Sequence, residues 1–169
     1  MELIDVVDEK GNYTGQTMER SEVQRLKLPY WEVIMLVVND KKQVLLQKRS
    51  STKKFYPNKW ALCSGLVVAG ESIDEAAIRE LEEEIGVRFS IDQLKILEEN
   101  LNLTRFYYVV CNKEEDEFVI QEEELSCVKW YDIDEVIKMI KNHDESLIIK
   151  ESRIYLLEKL QNLDFSKID

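Results

Sequence analysis

The chain has 169 residues, 44% of them hydrophobic and 34% charged, with a formal net charge of −11. At about 150 residues per domain, one domain with a real core is the natural expectation. The acidic balance argues against general nucleic-acid binding, which needs a basic face to meet phosphate. It leaves room for a small phosphorylated ligand whose charge a cation neutralises.

The N-terminal MELIDVVDEKG has neither a basic start nor a long apolar stretch, so no signal peptide is expected. Residues 2–8 alternate as a strand, residues 9–12 (EKGN) turn the chain, and residues 13–18 return as a second short strand. Residues 19–26 read as a weak helix or irregular segment. WEVIMLVVN at 31–39 is a buried strand, and QVLLQKR at 43–49 pairs back on it as a hairpin. Residues 50–59 form a basic loop carrying Lys53, Lys54 and Lys59, and residues 60–68 form a strand. Further strands are expected at 89–100, 104–111, 118–121 and 125–131, with a solvated charge run at 113–117. Asp132 starts a helix to about Lys141. A final amphipathic helix is expected from about Asp144 to Asn162, its apolar set including Ile148, Ile149, Leu156, Leu157 and Leu160. Gly (5) and Pro (2) are too sparse for a flexible linker. Cys63, Cys111 and Cys127 show no C-x-x-C spacing, so reduced thiols and a cytoplasmic location are expected. No apolar run approaches the roughly 18 residues of a membrane span.

Residues 65–87 read GLVVAGESIDEAAIRELEEEIGV and carry most of the chemistry. From Ser72 to Ile85 the apolar positions recur at helical spacing, and Gly86 supplies a stop signal. On that helix Glu80, Glu83 and Glu84 share one arc, beside the apolar stripe, while Glu75 and Glu82 point to the solvent side. Three carboxylates on one arc repel each other. A divalent cation relieves the repulsion, and hard oxygen ligands suit Mg²⁺ or Mn²⁺. A merely solvated acidic face is the plainer alternative.

The same segment fits G-x5-E-x7-R-E-U-x-E-E-x-G-U, with U a bulky aliphatic residue. The matching residues are Gly65, Glu71, Arg79, Glu80, Leu81, Glu83, Glu84, Gly86 and Val87. That pattern is the Nudix box, and the chain resembles the Nudix superfamily. The resemblance implies an α/β fold, an α/β/α sandwich around a mixed β-sheet. Residues 1–169 would form a single domain with its core at about 30–141. It also implies hydrolysis of a diphosphate linkage in a nucleoside diphosphate joined to another group. Glu80, Glu83 and Glu84 match the family's metal-ligand and base cluster, and the Ser64 carbonyl matches a further ligand. Arg79 would orient a glutamate through a salt bridge, with Glu71 supporting the loop; an ordinary surface pair with Glu75 or Glu83 is the alternative for Arg79. Many members add a catalytic carboxylate beyond the box, for which Glu124 in the run Glu122–Glu124 is the candidate, with a solvated loop charge as the competing view. Family members are commonly homodimers.

Lys48 and Arg49 are candidates to meet substrate phosphates, although surface residues explain a basic pair as well. Tyr30, Trp31 and Trp60 are available to stack on a base, but aromatics on strands are more often core. His143, the one histidine, fits a helix C-terminus.

The N-terminal ELIDVVDEKGNYTG and the LLQKRS strand also resemble the isopentenyl-diphosphate isomerase branch. There a Cys-Gly-His segment leads into a degenerate box. Here Ser64-Gly65-Leu66 stands in its place, Cys63 lies one position early, and the box is intact. Cys63 then reads as a small buried hydrophobe. A non-catalytic nucleotide sensor is the other alternative.

Overall fold

The computed structural model describes residues 1–167. Strands β1 (Leu3–Val7) and β2 (Tyr13–Glu19) form an antiparallel hairpin, and a short helix α1 (Arg20–Arg25) follows. The larger sheet contains β3 (Glu32–Val38), β4 (Gln43–Arg49), β5 (Trp60–Ala61), β6 (Cys63–Leu66), β7 (Lys95–Leu101), β8 (Thr104–Val110) and β9 (Leu125–Asp132). Strands β3 and β8 run parallel while the remaining pairs are antiparallel, so the sheet is mixed.

Alternation along β3 decides the layers. Val33, Met35 and Val37 face helix α2 (Ile73–Ile85) and pack with its Ala76, Ala77, Leu81 and Ile85. Leu36 and Val38 face the other way, onto α3 (Ile133–Lys141) and α4 (Ile154–Gln161). The result is an α/β/α sandwich around a mixed sheet, as the resemblance implies. A third, smaller cluster of Ile4, Val6, Val23 and Leu66 attaches the N-terminal hairpin.

Five elements differ from the sequence expectations, each for a physical reason. The β3–β4 hairpin holds only at its turn, where Val38 pairs with Val44. Beyond that the strands part, β4 pairing with β5 and β9, and β3 with β6 and β8. The expected strand at 60–68 is divided accordingly: β5 belongs to β4, β6 belongs to β3, and Leu62 lies between them. Residues 118–121 are not a strand. They cross the end of α2, where the Val119 and Gln121 amides donate to the Ile85 and Glu84 carbonyls at 3.1 and 3.3 Å. They thereby satisfy acceptors that a helix C-terminus leaves open. The expected strand at 89–100 begins only at Lys95, because Ser90 and Gln93 bond locally around a 3-10 turn at Ile91–Gln93.

The expected helix at 144–162 is regular only over Ile154–Gln161. Residues 146–148 instead run alongside Trp60, whose amide donates to the Ser146 carbonyl (2.7 Å) and whose carbonyl accepts from Ile148 (2.8 Å). Among the described residues no helix is long and apolar enough to cross a membrane.

Gly86 ends α2 at φ 72°, and a Cβ there would lie 2.7 Å from the Val119 Cβ and carbonyl oxygen. Gly86→Ala is therefore expected to cost about 2 kcal/mol or more, through left-handed strain and overpacking together. Urea unfolding checks this; an unchanged midpoint would contradict the crossing of 118–121 over the helix end.

Candidate active site

The parting of β3 and β4 opens one end of the sheet, and residues 60–66 cross that opening. From β6 the chain turns through 67–71 into α2. Ser72 caps the helix by accepting from the Glu75 amide (3.1 Å), while the Glu75 carboxylate accepts from the Ser72 amide (2.9 Å). This reciprocal cap fixes the first turn and gives Glu75 a local role beyond a solvated face. Tyr107 on β8 donates its hydroxyl to Asp74 and ties the same turn to the sheet.

Arg79 is the centre of the polar network. Its Nε and Nη2 donate to Glu71 at 3.0 and 2.7 Å, and Nη2 also donates to the Leu66 carbonyl at 2.9 Å. Nη1 donates to Glu80 at 2.8 Å and, more weakly, to Glu83 at 3.3 Å. Glu71 also accepts from the Val68 amide at 2.8 Å. One guanidinium thus joins strand end, loop and helix, which sets it apart from an ordinary surface pair. Its hydrogen bonds to Glu71, more than any other influence, raise its pKa and keep it cationic.

Glu80 passes over Gly65, where an added Cβ would sit 2.1 Å from the Glu80 carboxyl carbon. Glycine is required here for space, not for backbone conformation. Burial, and next the neighbouring Glu84, push the Glu80 pKa up to about 7 against the pull of Arg79. Glu84 is also raised, by burial first, and is held by Gln47 Nε2 (2.6 Å) and the Cys63 thiol (3.0 Å). Glu83 is half exposed at the mouth.

These groups line one polar cavity of about 360 Å³, together with Ser64, Gly65, Arg79, Arg49 and Glu124. Among the described residues no three His, Cys, Asp or Glu side chains converge as a ready metal cage. The carboxylates are turned toward Arg79, Gln47 and Cys63 instead. The donor set nevertheless suits a hard cation: burial raises both carboxylates, the charge of Glu84 adds to the rise at Glu80, and a cation would relieve both.

The structure brings Glu124 to this cavity, where its carboxylate pairs with Lys53. Arg49 also faces it, with Nε donating to the Phe55 carbonyl at 3.1 Å. Lys48 does not. Alternation turns it to the opposite face of β4, over the Trp60 ring at 5.9 Å, and the substrate-binding expectation for it is withdrawn. The same alternation, applied to β4, would have found Gln47, which lies on the Arg49 side. Arg20 and Glu2 also reach the cavity, paired at 2.9 Å. They flank the N-terminal hairpin, Glu2 ahead of β1 and Arg20 at the start of α1, and nothing local in the sequence marks them. Trp31 is buried with Nε1 donating to the Gly11 carbonyl (3.0 Å), and Trp60 packs edge-on against Tyr131; neither lines this cavity. His143 follows α3 at φ 54° with its amide on the Ile140 carbonyl, a helix-end role. Cys63 is buried as expected, but it is a hydrogen-bond donor to Glu84 and not simply a hydrophobe. Burial, more than its acidic neighbours, pushes its thiol well up.

The profile of the NUDIX domain matches residues 29–150. The chain belongs to the Nudix family. An uncharacterized Nudix hydrolase of Listeria monocytogenes is 34% identical over 54% of this chain and 54% of its own. Another, from Pseudomonas aeruginosa, is 36% identical over 53% of each. The chain thus spans about half the length of these curated relatives. An isopentenyl-diphosphate Delta-isomerase of Aliivibrio fischeri is 25% identical over 91% of this chain and 93% of its own. A Deinococcus radiodurans crystal structure superposes with a TM-score of 0.73 at 21% identity, over 94% of this chain and 99% of that one. At that identity it shows the shared Nudix fold.

A double-mutant cycle tests the Gly65–Glu80 contact in this Nudix protein. Gly65→Ala is expected to destabilise by about 1–3 kcal/mol alone, and by much less in a Glu80→Ala background. Additive effects would contradict the close approach.

Proposed function

We propose that this Nudix protein is a hydrolase that cleaves a diphosphate linkage in a nucleoside diphosphate joined to a second group, with Mg²⁺ or Mn²⁺ as cofactor. The observation that carries this is the buried pair Glu80 and Glu84, both raised in proton affinity, chiefly by burial, and opening into a polar cavity rimmed by Arg20, Arg49 and Lys53. Acidic depth suits cations, and the basic rim suits phosphate. Glu80, Glu83 and Glu84 would hold the metal with the Ser64 carbonyl. When bound, the cation would polarise phosphoryl oxygens and lower the pKa of water.

The chain's own groups divide the remaining work. Arg79 and Glu71 hold the loop so that Glu80 stays over Gly65. Arg49 meets phosphate. Glu80, Glu83 or Glu124 takes the proton from water, and Glu124 first has to leave Lys53, which then becomes available to phosphate. The protein acts in the cytoplasm, a placement supported by its three free cysteines. Residues 1–169 work as one domain, because α1, following the N-terminal hairpin, delivers Arg20 to the cavity.

The end-to-end similarity to an isopentenyl-diphosphate isomerase favours a second reading, that of an isomerase. Against it, Ser64 occupies the position of that branch's cysteine. The nearby Cys63 is buried, bonded to Glu84 and outside the cavity lining.

Glu83→Gln and Glu84→Gln are each expected to lower turnover by about 10²-fold or more while the fold persists. Mg²⁺ or Mn²⁺ should raise the melting temperature of the wild type but barely that of Glu84→Gln. Near-normal turnover in either variant, or equal metal shifts, would overturn the assignment.

A further inference from the structure

A second chamber of about 280 Å³ adjoins the first and shares Arg49, Ala61, Leu62 and Ser64 with it. The two lie on opposite sides of the sheet. Glu80 and Glu84 come from the α2 side. Ile34, which lines the second chamber, packs with the α3 and α4 cluster. Glu32, two residues earlier on β3, shares its face. The chambers meet where β3 and β4 part, so a molecule with its diphosphate in the first has its remaining moiety directed into the second.

The walls of the second chamber are specific in chemistry. Ile34, Leu62, Ile148 and Ile149 form apolar sides. At the mouth stands Tyr56, 61% exposed and held at φ 53° in the 50–59 loop. A left-handed backbone conformation is uncommon for so bulky a residue, and the exposed ring offers a stacking face at a pocket entrance. Glu32 supplies a carboxylate that no ion pair engages among the described residues, with the Tyr30 hydroxyl as a hydrogen-bonding neighbour. Lys150 and Arg153 supply donors. Arg153 is pinned over the Phe106 ring at 4.7 Å, and Phe106 pairs with Ile34 across the sheet. The bond pair between Trp60 and residues 146–148 places this whole wall. That is why the segment is not helical.

An aliphatic chain would leave Glu32, Lys150 and Arg153 without use. A planar heterocycle with both donors and acceptors on its edge would engage them. Guanine presents adjacent N1–H and N2–H₂ donors that match the two oxygens of one carboxylate, and O6 and N7 acceptors that match Arg or Lys. Adenine offers a single exocyclic amino group to a carboxylate. We propose that the second chamber is a base site selective for guanine, with Tyr56 stacking on the ring, Glu32 accepting from N1 and N2, and Arg153 or Lys150 donating to O6 or N7. It rests on the diphosphate reading above and adds to it the base and the residues that select it.

Calorimetric titration of the full chain in Mg²⁺ with GDP, ADP, isopentenyl diphosphate and inorganic pyrophosphate tests it. GDP is expected to bind about tenfold or more tightly than pyrophosphate, a gain typical of one stacked base, and several-fold more tightly than ADP. Tyr56→Ala, an exposed change with little risk to folding, should shrink the GDP-to-pyrophosphate ratio. Glu32→Gln should erase the preference for GDP over ADP and keep the stacking gain. ADP binding as tightly as GDP, isopentenyl diphosphate matching GDP, or ratios unmoved by both variants would each overturn the base site. Pyrophosphate binding without any gain from guanine would sink this inference alone. Failure of pyrophosphate itself to bind would sink the diphosphate reading and the base site with it.

Discussion

Everything at the polar end of this molecule depends on Arg79. Its guanidinium reaches Glu71 in the loop, Glu80 on its own helix and the Leu66 carbonyl at the end of β6. Remove it and two largely buried carboxylates lose their counter-charge, a loss of about 3–5 kcal/mol where a buried pair is broken. Arginine suits the position because its fork serves several acceptors at fixed angles, which a lysine ammonium cannot do. The interaction is also what keeps Glu80 ionisable against burial and the charge of Glu84. The placement of Glu71 and Glu80 therefore follows from one side chain, while Gln47 and Cys63 hold Glu84.

The second constraint is the parting of β3 from β4. A continuous hairpin would close the sheet and leave no passage from one face to the other. Because β4 takes β5 and β9 as partners while β3 takes β6 and β8, residues 60–66 bridge the parted strands and line both chambers. Cys63 and Gly65 turn toward α2, and Ser64 sits between the two chambers. The same opening explains why residues 146–148 are not helical: the Trp60 backbone would otherwise lack these partners at the sheet edge.

Much of this was legible in the sequence where the signal is local. The α2 helix follows from its apolar spacing and its stop at Gly86 from a glycine at the right offset, whereas the resemblance implies only that Arg79 orients some glutamate and that Glu71 supports the loop, without naming Glu80 as a partner. What escaped was set by tertiary contacts. Phe118 to Gln121 has strand composition, yet its backbone serves the end of α2. Ile148 and Ile149 have helical periodicity, yet Trp60 recruits their segment. Lys48 was misplaced although the information was present, since period-two alternation separates it from Gln47 and Arg49. Arg20 and Glu2 flank a hairpin that distant contacts position, among them the Ile4, Val6 and Leu66 cluster and the bond from Trp31 to the Gly11 carbonyl. Family membership predicts the sandwich and the acidic cluster, while the residues lining the second chamber lie largely outside the box.

The most direct test is hydrolysis in ¹⁸O-labelled water with Mg²⁺, using a guanosine diphosphate ester and, separately, isopentenyl diphosphate, followed by mass spectrometry of the products. A diphosphate hydrolase places one ¹⁸O on a phosphoryl product of the guanosine compound and leaves isopentenyl diphosphate unchanged. Isomerisation of isopentenyl diphosphate, with no ¹⁸O entering any phosphate, would contradict the account.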